Sequence, residues 1–244
     1  MKCMKFMTHL SCLLLLSVGL SAHAGIDVNE GFGFKIVIDP AMQKDNPGVY
    51  SITGQPEYKL NYIFASDLQK VFNKFGFEVI ITRTPEQNVS VEERAAMTEG
   101  ANILISLRHD TVVDKYCTFN SKGHCVSDYA RGFSVFVADS NVDKDLSLDL
   151  AENIGRNLML EGFFATKHHA EKIPGEGKEL VNETIGLYMD DSIELLKLSK
   201  VPAVQVNLGV VANKLDVKVL QDKKQRAKII QNIVDAVRRY KDEL

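Results

Sequence analysis

The sequence predicts an α/β domain built on a mostly parallel, twisted sheet with helices on both faces. Short β-branched runs such as 36–38 and 103–107 have the length and composition of buried strands. They alternate with longer segments that repeat apolar residues at helical spacing. Parallel strands need a crossover connection, usually a helix, so this alternation predicts a parallel sheet covered by helices.

The individual elements follow from the same periodicities. Strands are expected at 35–38, 77–81, 103–107, 133–137 and 204–208, and helices at 58–75, 90–100, 146–160 and 223–240. Gly76 ends the first helix, and the pair Ser90 and Glu93 forms a capping box that begins the second. Ligands of such sheets collect at the carboxyl ends of the strands, here residues 39–42, 82–83, 108–110 and 207–209.

The first 24 residues have the pattern of a cleavable secretory signal peptide. Lys2 and Lys5 precede an apolar stretch that ends in Ala22-His23-Ala24. The stretch is too short for a comfortable membrane span, and Cys12 lies inside it, which disfavours a lipid anchor. We therefore expect residues 1–24 to be removed and residues 25–244 to form a single domain in the periplasm or cell envelope, without a transmembrane segment.

Charge gives little reason to expect a nucleic-acid partner. Removal of the signal peptide would change the formal net charge from -3 to about -5, because it removes two lysines and no acidic residue. The chain ends in Lys241-Asp-Glu-Leu244, which spells an endoplasmic-reticulum retention signal. We interpret this ending as the chance composition of a charged helix end, and its meaning to a host receptor is left open.

Two cysteines remain after the signal peptide. Cys117 and Cys125 flank a short polar segment, and in an oxidising compartment they are expected to form a disulfide. The alternatives are a pair of reduced thiols or a metal clip that includes His124.

Six ordered segments of the mature chain carry a family resemblance. They are 36–40 (IVIDP), 54–61 (GQPEYKLN), 105–110 (ISLRHD), 131–136 (RGFSVF), 168–176 (HHAEKIPGE) and 202–209 (PAVQVNLG) with Asn213 following. In order and spacing they resemble zinc-dependent N-acetylmuramoyl-L-alanine amidases over roughly residues 34–240. The resemblance implies an amidase-like fold and peptidoglycan as the substrate class.

The resemblance also implies two histidines and a glutamate on zinc, with a second glutamate as general base. The two histidine positions fall on Met42 and Arg108, and the glutamate ligand is kept as Glu57. The general-base position falls on Asn207. A thioether is a poor zinc ligand, a guanidinium offers no lone pair, and a carboxamide cannot accept a proton from water. The sequence therefore predicts a degenerate site with no catalytic residues, no metal and no cofactor, that is, a pseudoenzyme.

Arg108 suggests what replaces the metal. We expect it to form an ion pair with Glu57 across the former zinc position. In the alternative, Arg108 points to solvent and Glu57 caps the helix that begins at Tyr58.

A rebuilt zinc site is the second alternative. His109 follows the lost ligand, but it needs a bulge to change faces. His168 and His169 are flanked by Lys167 and Glu171, a pattern more typical of a polar loop than of metal ligands.

The predicted function is binding of peptidoglycan without cleavage, service as a structural subunit of an envelope protein complex such as a secretion-system outer-membrane assembly, or both. The disulfide segment is expected near the rim of the groove. Candidate groove residues are Glu57, Arg108, His109, Asp110, Arg131, His168, His169 and Asn207. The alternative function is an active N-acetylmuramoyl-L-alanine amidase with a rebuilt zinc site.

Overall fold

The structure, a computed structural model, describes residues 29–244. The strands are β1 Lys35–Pro40, β2 Glu78–Ile81, β3 Ile103–Asp110, β4 Thr118–Phe119, β5 Cys125–Val126, β6 Ser134–Val137, β7 Glu179–Asn182, β8 Leu187–Met189 and β9 Ala203–Val210. The helices are α1 Glu57–Lys74, α2 Val91–Ala96, α3 Lys144–Leu160, α4 Glu194–Leu198, α5 Lys214–Gln221 and α6 Lys223–Glu243. Two short 3₁₀ turns lie at Asp114–Tyr116 and His168–Ala170.

Seven strands form one sheet in the order β2-β1-β3-β9-β6-β8-β7. The pairs β1–β2, β1–β3 and β3–β9 are parallel, which confirms the predicted mostly parallel sheet. β6 runs antiparallel to β9, and β8 is parallel to β6. As a result, the beginning of β6 lies beside the carboxyl ends of β3 and β9.

Helices cover both faces of the sheet, as predicted. On one face, α1, α3 and α6 bury residues such as Leu68, Ile154 and Ile233 in the larger core cluster. On the other face, α2 and α4 contribute Ala95 and Leu196 to a second cluster. Each fully buried aliphatic side chain contributes about 1.5–3 kcal/mol to folding, so the two clusters fix the sheet between the helix layers.

Some element bounds differ from the prediction. The capping box of Ser90 and Glu93 is present, but α2 ends at Ala96, and the Thr98 hydroxyl donates to the Ala95 carbonyl just after it. β3 runs three residues and β9 two residues further than predicted, so Asp110 still belongs to the sheet. β7, β8, α4 and α5 were not predicted, because their apolar runs are short.

The predicted signal peptide lies outside the described residues. Within residues 29–244, no helix has the length and apolarity needed to cross a membrane.

Candidate functional site

An ion pair lies at the position that the family resemblance assigns to zinc. Arg108 Nε lies 3.2 Å from Glu57 Oε1, which confirms the contact predicted from the sequence. The Glu57 carboxylate is fully buried and also accepts the Val49 backbone N–H at 3.1 Å and the Asn61 amide at 3.4 Å. Burial raises the pKa of Glu57, and the charge of Arg108 acts against that rise. These residues do not fit a zinc ion, because a guanidinium fills the place of a ligand.

The backbone around this pair is shaped to hold it. A Cβ atom on Gly48 would lie 2.2 Å from Glu57 Oε2, so no other residue fits there without displacing the carboxylate. Met42, at the family's first histidine position, has a φ of 62°, in the left-handed region that non-glycine residues rarely adopt.

His109 lies on the other face of the sheet. The pairing of β3 with β9 is irregular between Arg108 and Asp110, yet the His109 side chain still points toward α1. Its Nδ1 lies 2.7 Å from Asn61 Oδ1, and its ring packs edge-on against Phe64. Burial lowers the pKa of His109 to about 3, which keeps the ring neutral. His109 therefore packs in the core and does not replace the lost zinc ligand.

Asp110, His168 and His169 form a buried cluster beside the ion pair. His169 Nε2 lies 2.5 Å and His168 Nε2 lies 3.8 Å from the same oxygen, Asp110 Oδ2. All three potential ligand atoms lie within 4.8 Å of one another. The prediction that the paired histidines belong to a polar loop surface is wrong, because both are buried.

The antiparallel direction of β6 relative to β9 brings the two histidines close to Asp110. After α3 the backbone runs alongside the start of β6, where Phe133 N–H donates to the Phe164 carbonyl and Thr166 N–H donates to the Phe133 carbonyl. Two residues later come His168 and His169. Asp110 arrives from the opposite side, at the carboxyl end of β3.

Both imidazoles are oriented through their far nitrogen. His169 Nδ1 lies 2.8 Å from Glu176 Oε2, and His168 Nδ1 lies 2.7 Å from Thr166 Oγ1. Such outer contacts set the ring orientation and tautomer of metal-binding histidines. Glu176 and Thr166 were not predicted, although the segment 168–176 was part of the resemblance.

The charges of the cluster are strongly coupled. Burial opposes protonation of His169, but the carboxylates of Asp110 and Glu176 outweigh it and raise its pKa to about 9. Burial also opposes ionisation of Asp110, yet His169 and its other partners hold the pKa of that carboxyl well below its usual range. Burial lowers the pKa of His168. With no metal bound, the cluster is thus an imidazolium paired with a carboxylate.

Asn207 connects this cluster to the neighbouring strand. It lies opposite Arg108 in the pairing of β3 with β9, and its side-chain amide donates to Asp110 Oδ2 at 3.2 Å. The side-chain oxygen Oδ1 of Asn207 accepts a hydrogen bond from Gln205 Nε2 at 2.9 Å. Asn207, to which the resemblance assigns the position of the general base, is therefore hydrogen-bonded to the cluster.

An open pocket reaches the cluster at His168. Its walls include Tyr129, Arg131, Lys167 and Glu171. The Arg131 guanidinium lies 4.0 Å from the centre of the Phe164 ring. Glu171 accepts from the hydroxyls of Tyr116 and Tyr129, and the two tyrosine rings stack.

The predicted disulfide joins Cys117 and Cys125 and encloses the β4–β5 hairpin. His124 in this hairpin stacks on Tyr50 and therefore does not form a metal clip with the cysteines. Tyr116 and Tyr129 lie just outside the two ends of the hairpin, and Tyr129 lines the pocket. The place of the hairpin at the rim of a ligand groove stays a prediction.

The donor set of the cluster fits zinc, whereas the former position does not. Two imidazoles and a carboxylate are the protein ligands of many catalytic zinc sites, which leave a fourth position open. Among residues 29–244, the group Asp110, His168 and His169 is able to hold a metal ion. The sequence-based expectation of no metal stays a prediction, and the cluster contains two of the histidines named in its alternative, the rebuilt zinc site.

Comparisons with known proteins bear on the activity. Two relatives are the probable cell wall amidases LytH of Staphylococcus epidermidis, 22% identical over 92% of this chain, and of Staphylococcus aureus, 24% identical over 85%. The alignments span 64% and 58% of those proteins, so this chain matches about three-fifths of their length.

Solved structures share the fold. The amidase Ami1 of Mycobacterium smegmatis has a TM-score of 0.71 at 18% identity and covers 87% of this chain and 98% of its own. The CwlD amidase of Clostridioides difficile, solved in complex with the GerS lipoprotein, has a TM-score of 0.64 at 19% identity, covering 86% and 100%.

These findings overturn the prediction of a pseudoenzyme. The relatives are named cell wall amidases, and a His/Asp group that could hold a metal lies beside the altered positions. The prediction failed because the replacement of three of the four family residues says nothing about potential ligands that the fold supplies elsewhere. The profile of the family described as N-acetylmuramoyl-L-alanine amidase matches residues 36–239, and the chain belongs to that family.

Proposed function

We propose that this protein is a zinc-dependent amidase that cleaves the bond between the lactyl group and the stem peptide of peptidoglycan, with zinc held by Asp110, His168 and His169. The observation that carries the proposal is the grouping of Asp110, His168 and His169, whose potential ligand atoms lie within 4.8 Å of one another. His169 Nε2 contacts Asp110 Oδ2 directly, and His168 Nε2 lies 3.8 Å from that oxygen and 3.1 Å from the Thr111 carbonyl oxygen. The family membership and the names of the relatives support the substrate class.

Zinc in this position would supply Lewis-acid activation of water and of the amide carbonyl. The protein's own residues do the rest. Glu176 and Thr166 fix the two imidazoles, and Asp110 supplies negative charge against the cation. The Asn207 amide keeps one carboxylate oxygen of Asp110 in place.

Glu171 is assigned the proton-transfer role that Asn207 cannot perform. Its carboxylate lines the same pocket as His168, where the substrate amide must lie to reach the cluster. The hydroxyls of Tyr116 and Tyr129 hold the carboxylate in one orientation. A carboxylate positioned in this way can accept a proton from water and pass it to the leaving amine.

The test combines metal analysis with product analysis. The zinc-loaded protein is expected to contain about one zinc per chain and to release peptides with a free amino-terminal alanine from purified sacculi, detected by mass spectrometry. His169→Ala should lose both zinc and activity, whereas the matched control His124→Ala should keep both, because His124 lies in the hairpin outside the cluster. Absence of amide cleavage at saturating zinc would overturn the proposal.

A role as a subunit of an envelope assembly remains a prediction from the sequence. No contact in the described residues favours it over hydrolysis.

A further inference from the structure

Arg108 has hydrogen-bonding capacity that the protein does not use. Of the five N–H groups of its guanidinium, the one on Nε bonds Glu57. Within residues 29–244, Nη1 and Nη2 have no hydrogen-bond partner, and 37% of the side chain is exposed. The bond to Glu57 fixes one edge of the guanidinium and leaves its outer end free for a ligand.

Arg108 lines a cleft at the carboxyl ends of β1 and β3, with Gln205 of β9 in its wall. The arginine cleft is about 410 Å³ in volume, and its lining includes Met42, Gln43, Asn46, Arg94, Arg108 and Gln205. Small-molecule and peptide-end sites fall in this range of size.

A second guanidinium lines the same cleft. Arg94 donates through Nη1 to Asp39 and through Nε to the Ser90 carbonyl, which leaves its Nη2 without a partner among the described residues. Asp39 is buried and also accepts from the hydroxyls of Thr82 and Ser106. Asp39 also lines the cleft, and its charge there is balanced by Arg94 and by these two hydroxyls.

Other charges set the strength of the site. Glu57 balances Arg108, Asp39 balances Arg94, and the exposed Glu194 lies at the rim. A bound carboxylate would thus be recognised mainly by the direction of the guanidinium N–H groups, and less by a net positive charge of the cleft. Planar guanidinium groups bind carboxylates in this way, with two parallel hydrogen bonds.

A hydrogen-bond chain links the cleft to the proposed metal cluster. Gln205 lines the cleft and donates to Asn207, which in turn donates to Asp110. Two buried amide side chains therefore lie between the arginine cleft and the cluster.

We propose that the arginine cleft is a subsite for a free carboxylate of an acidic peptide, bound by Arg108 with Arg94 beside it. The inference rests on the proposed function, since it identifies this peptide as the acidic stem of the substrate. In place of a zinc ligand, position 108 would then supply substrate recognition.

The test is a binding titration of the chelator-treated protein, with NMR as the readout. The probes are N-acetylmuramoyl-L-alanyl-D-glutamate and the corresponding D-isoglutamine conjugate, in which one carboxylate is a carboxamide. We expect the acidic probe to bind at least fivefold more tightly than the amide. The double variant Glu57→Gln with Arg108→Gln should reduce the difference to within twofold, because it removes the guanidinium without leaving a lone buried charge.

The control is Arg156→Gln, since Arg156 is an exposed residue of α3 whose ion-pair partner among residues 29–244 is Glu152 alone. This variant should keep the full preference. Equal affinity of the wild type for the two probes, no binding of either probe, or a preference that survives in the double variant would overturn the proposal. No step of this titration needs metal or hydrolysis. Preference for the acidic probe without cleavage of sacculi would therefore refute only the amidase proposal. Cleavage of sacculi without this preference would refute only the subsite.

Discussion

Asn207 donates its side-chain amide to Asp110 Oδ2 across 3.2 Å, in a place where both side chains are buried. Replacement by aspartate would put a second carboxylate against the first. We expect Asn207→Asp to lower the free energy of unfolding of the metal-free protein by about 2 kcal/mol, through a lost hydrogen bond and like-charge repulsion. Urea denaturation measures this. Gln87→Glu, the same change of amide to carboxylate at an exposed site, should stay within about 0.5 kcal/mol of the wild type, and equal effects of the two changes would contradict the prediction.

The outer contacts of the histidines predict zinc affinity. Glu176→Gln and Thr166→Val should each weaken zinc binding by about 10–100-fold while a stoichiometry of one is kept at saturation, because the rings lose their orienting partner. Competition with a chromophoric chelator gives the affinity. The exposed Glu179→Gln is the matched control for Glu176 and should bind as the wild type does. Unchanged affinity in both variants would show that the cluster does not hold the zinc.

The role of Glu171 predicts a separation of binding from turnover. Glu171→Gln should lower kcat by about 10²–10⁴-fold, the range for loss of a general acid or base, with zinc affinity unchanged. Tyr129→Phe should have a smaller effect, since Tyr116 still orients the carboxylate. A glutamine variant as active as the wild type would remove Glu171 from the mechanism.

Asp216 predicts a pH dependence of stability away from the cluster. Burial raises its pKa, although its Oδ2 accepts the backbone N–H groups of Gly132 and Val210. A carboxyl group with a raised folded pKa binds more protons in the folded state, so the free energy of unfolding falls as pH rises from the unfolded value of about 3.9 through the folded one.

Two substitutions separate the charge of Asp216 from its hydrogen bonds. Asp216→Asn keeps an acceptor, so it should flatten this part of the stability curve. Asp216→Ala should cost about 1–3 kcal/mol for each N–H group left unsatisfied. Chemical denaturation at several pH values measures both, and a slope that is unchanged in the asparagine variant would refute the assignment.

The disulfide predicts a stability effect centred on the hairpin. Replacement of Cys117 and Cys125 by serine should cost about 2.5 kcal/mol from the entropy of the opened loop. Hydrogen exchange should accelerate at residues 117–126 first, because the hairpin is a separate two-stranded sheet. Equal acceleration across β3 and β9 would instead show that the disulfide supports the core.

The sequence was sufficient for the parallel half of the fold. Runs such as 103–107 indicate buried strands because every residue is apolar or small. The Glu57–Arg108 pair was predicted from two positions that the family resemblance aligned. β7 and β8 are shorter than five residues and carry polar neighbours, so no periodicity marks them. The burial of His168 and His169 depends on the antiparallel direction of β6, which residue patterns do not encode.

The segment 164–170, which carries both histidines, is held by three separate parts of the chain. Its backbone pairs with Phe133, the His169 carbonyl accepts the N–H groups of Gly177 and Lys178, and the Thr166 carbonyl accepts the Tyr188 hydroxyl. Opening of this segment would break all of these contacts together, so its amides should exchange hydrogen more slowly than those of a loop held at one point. A cation held by the proposed cluster would then be released slowly, at a rate set by this opening.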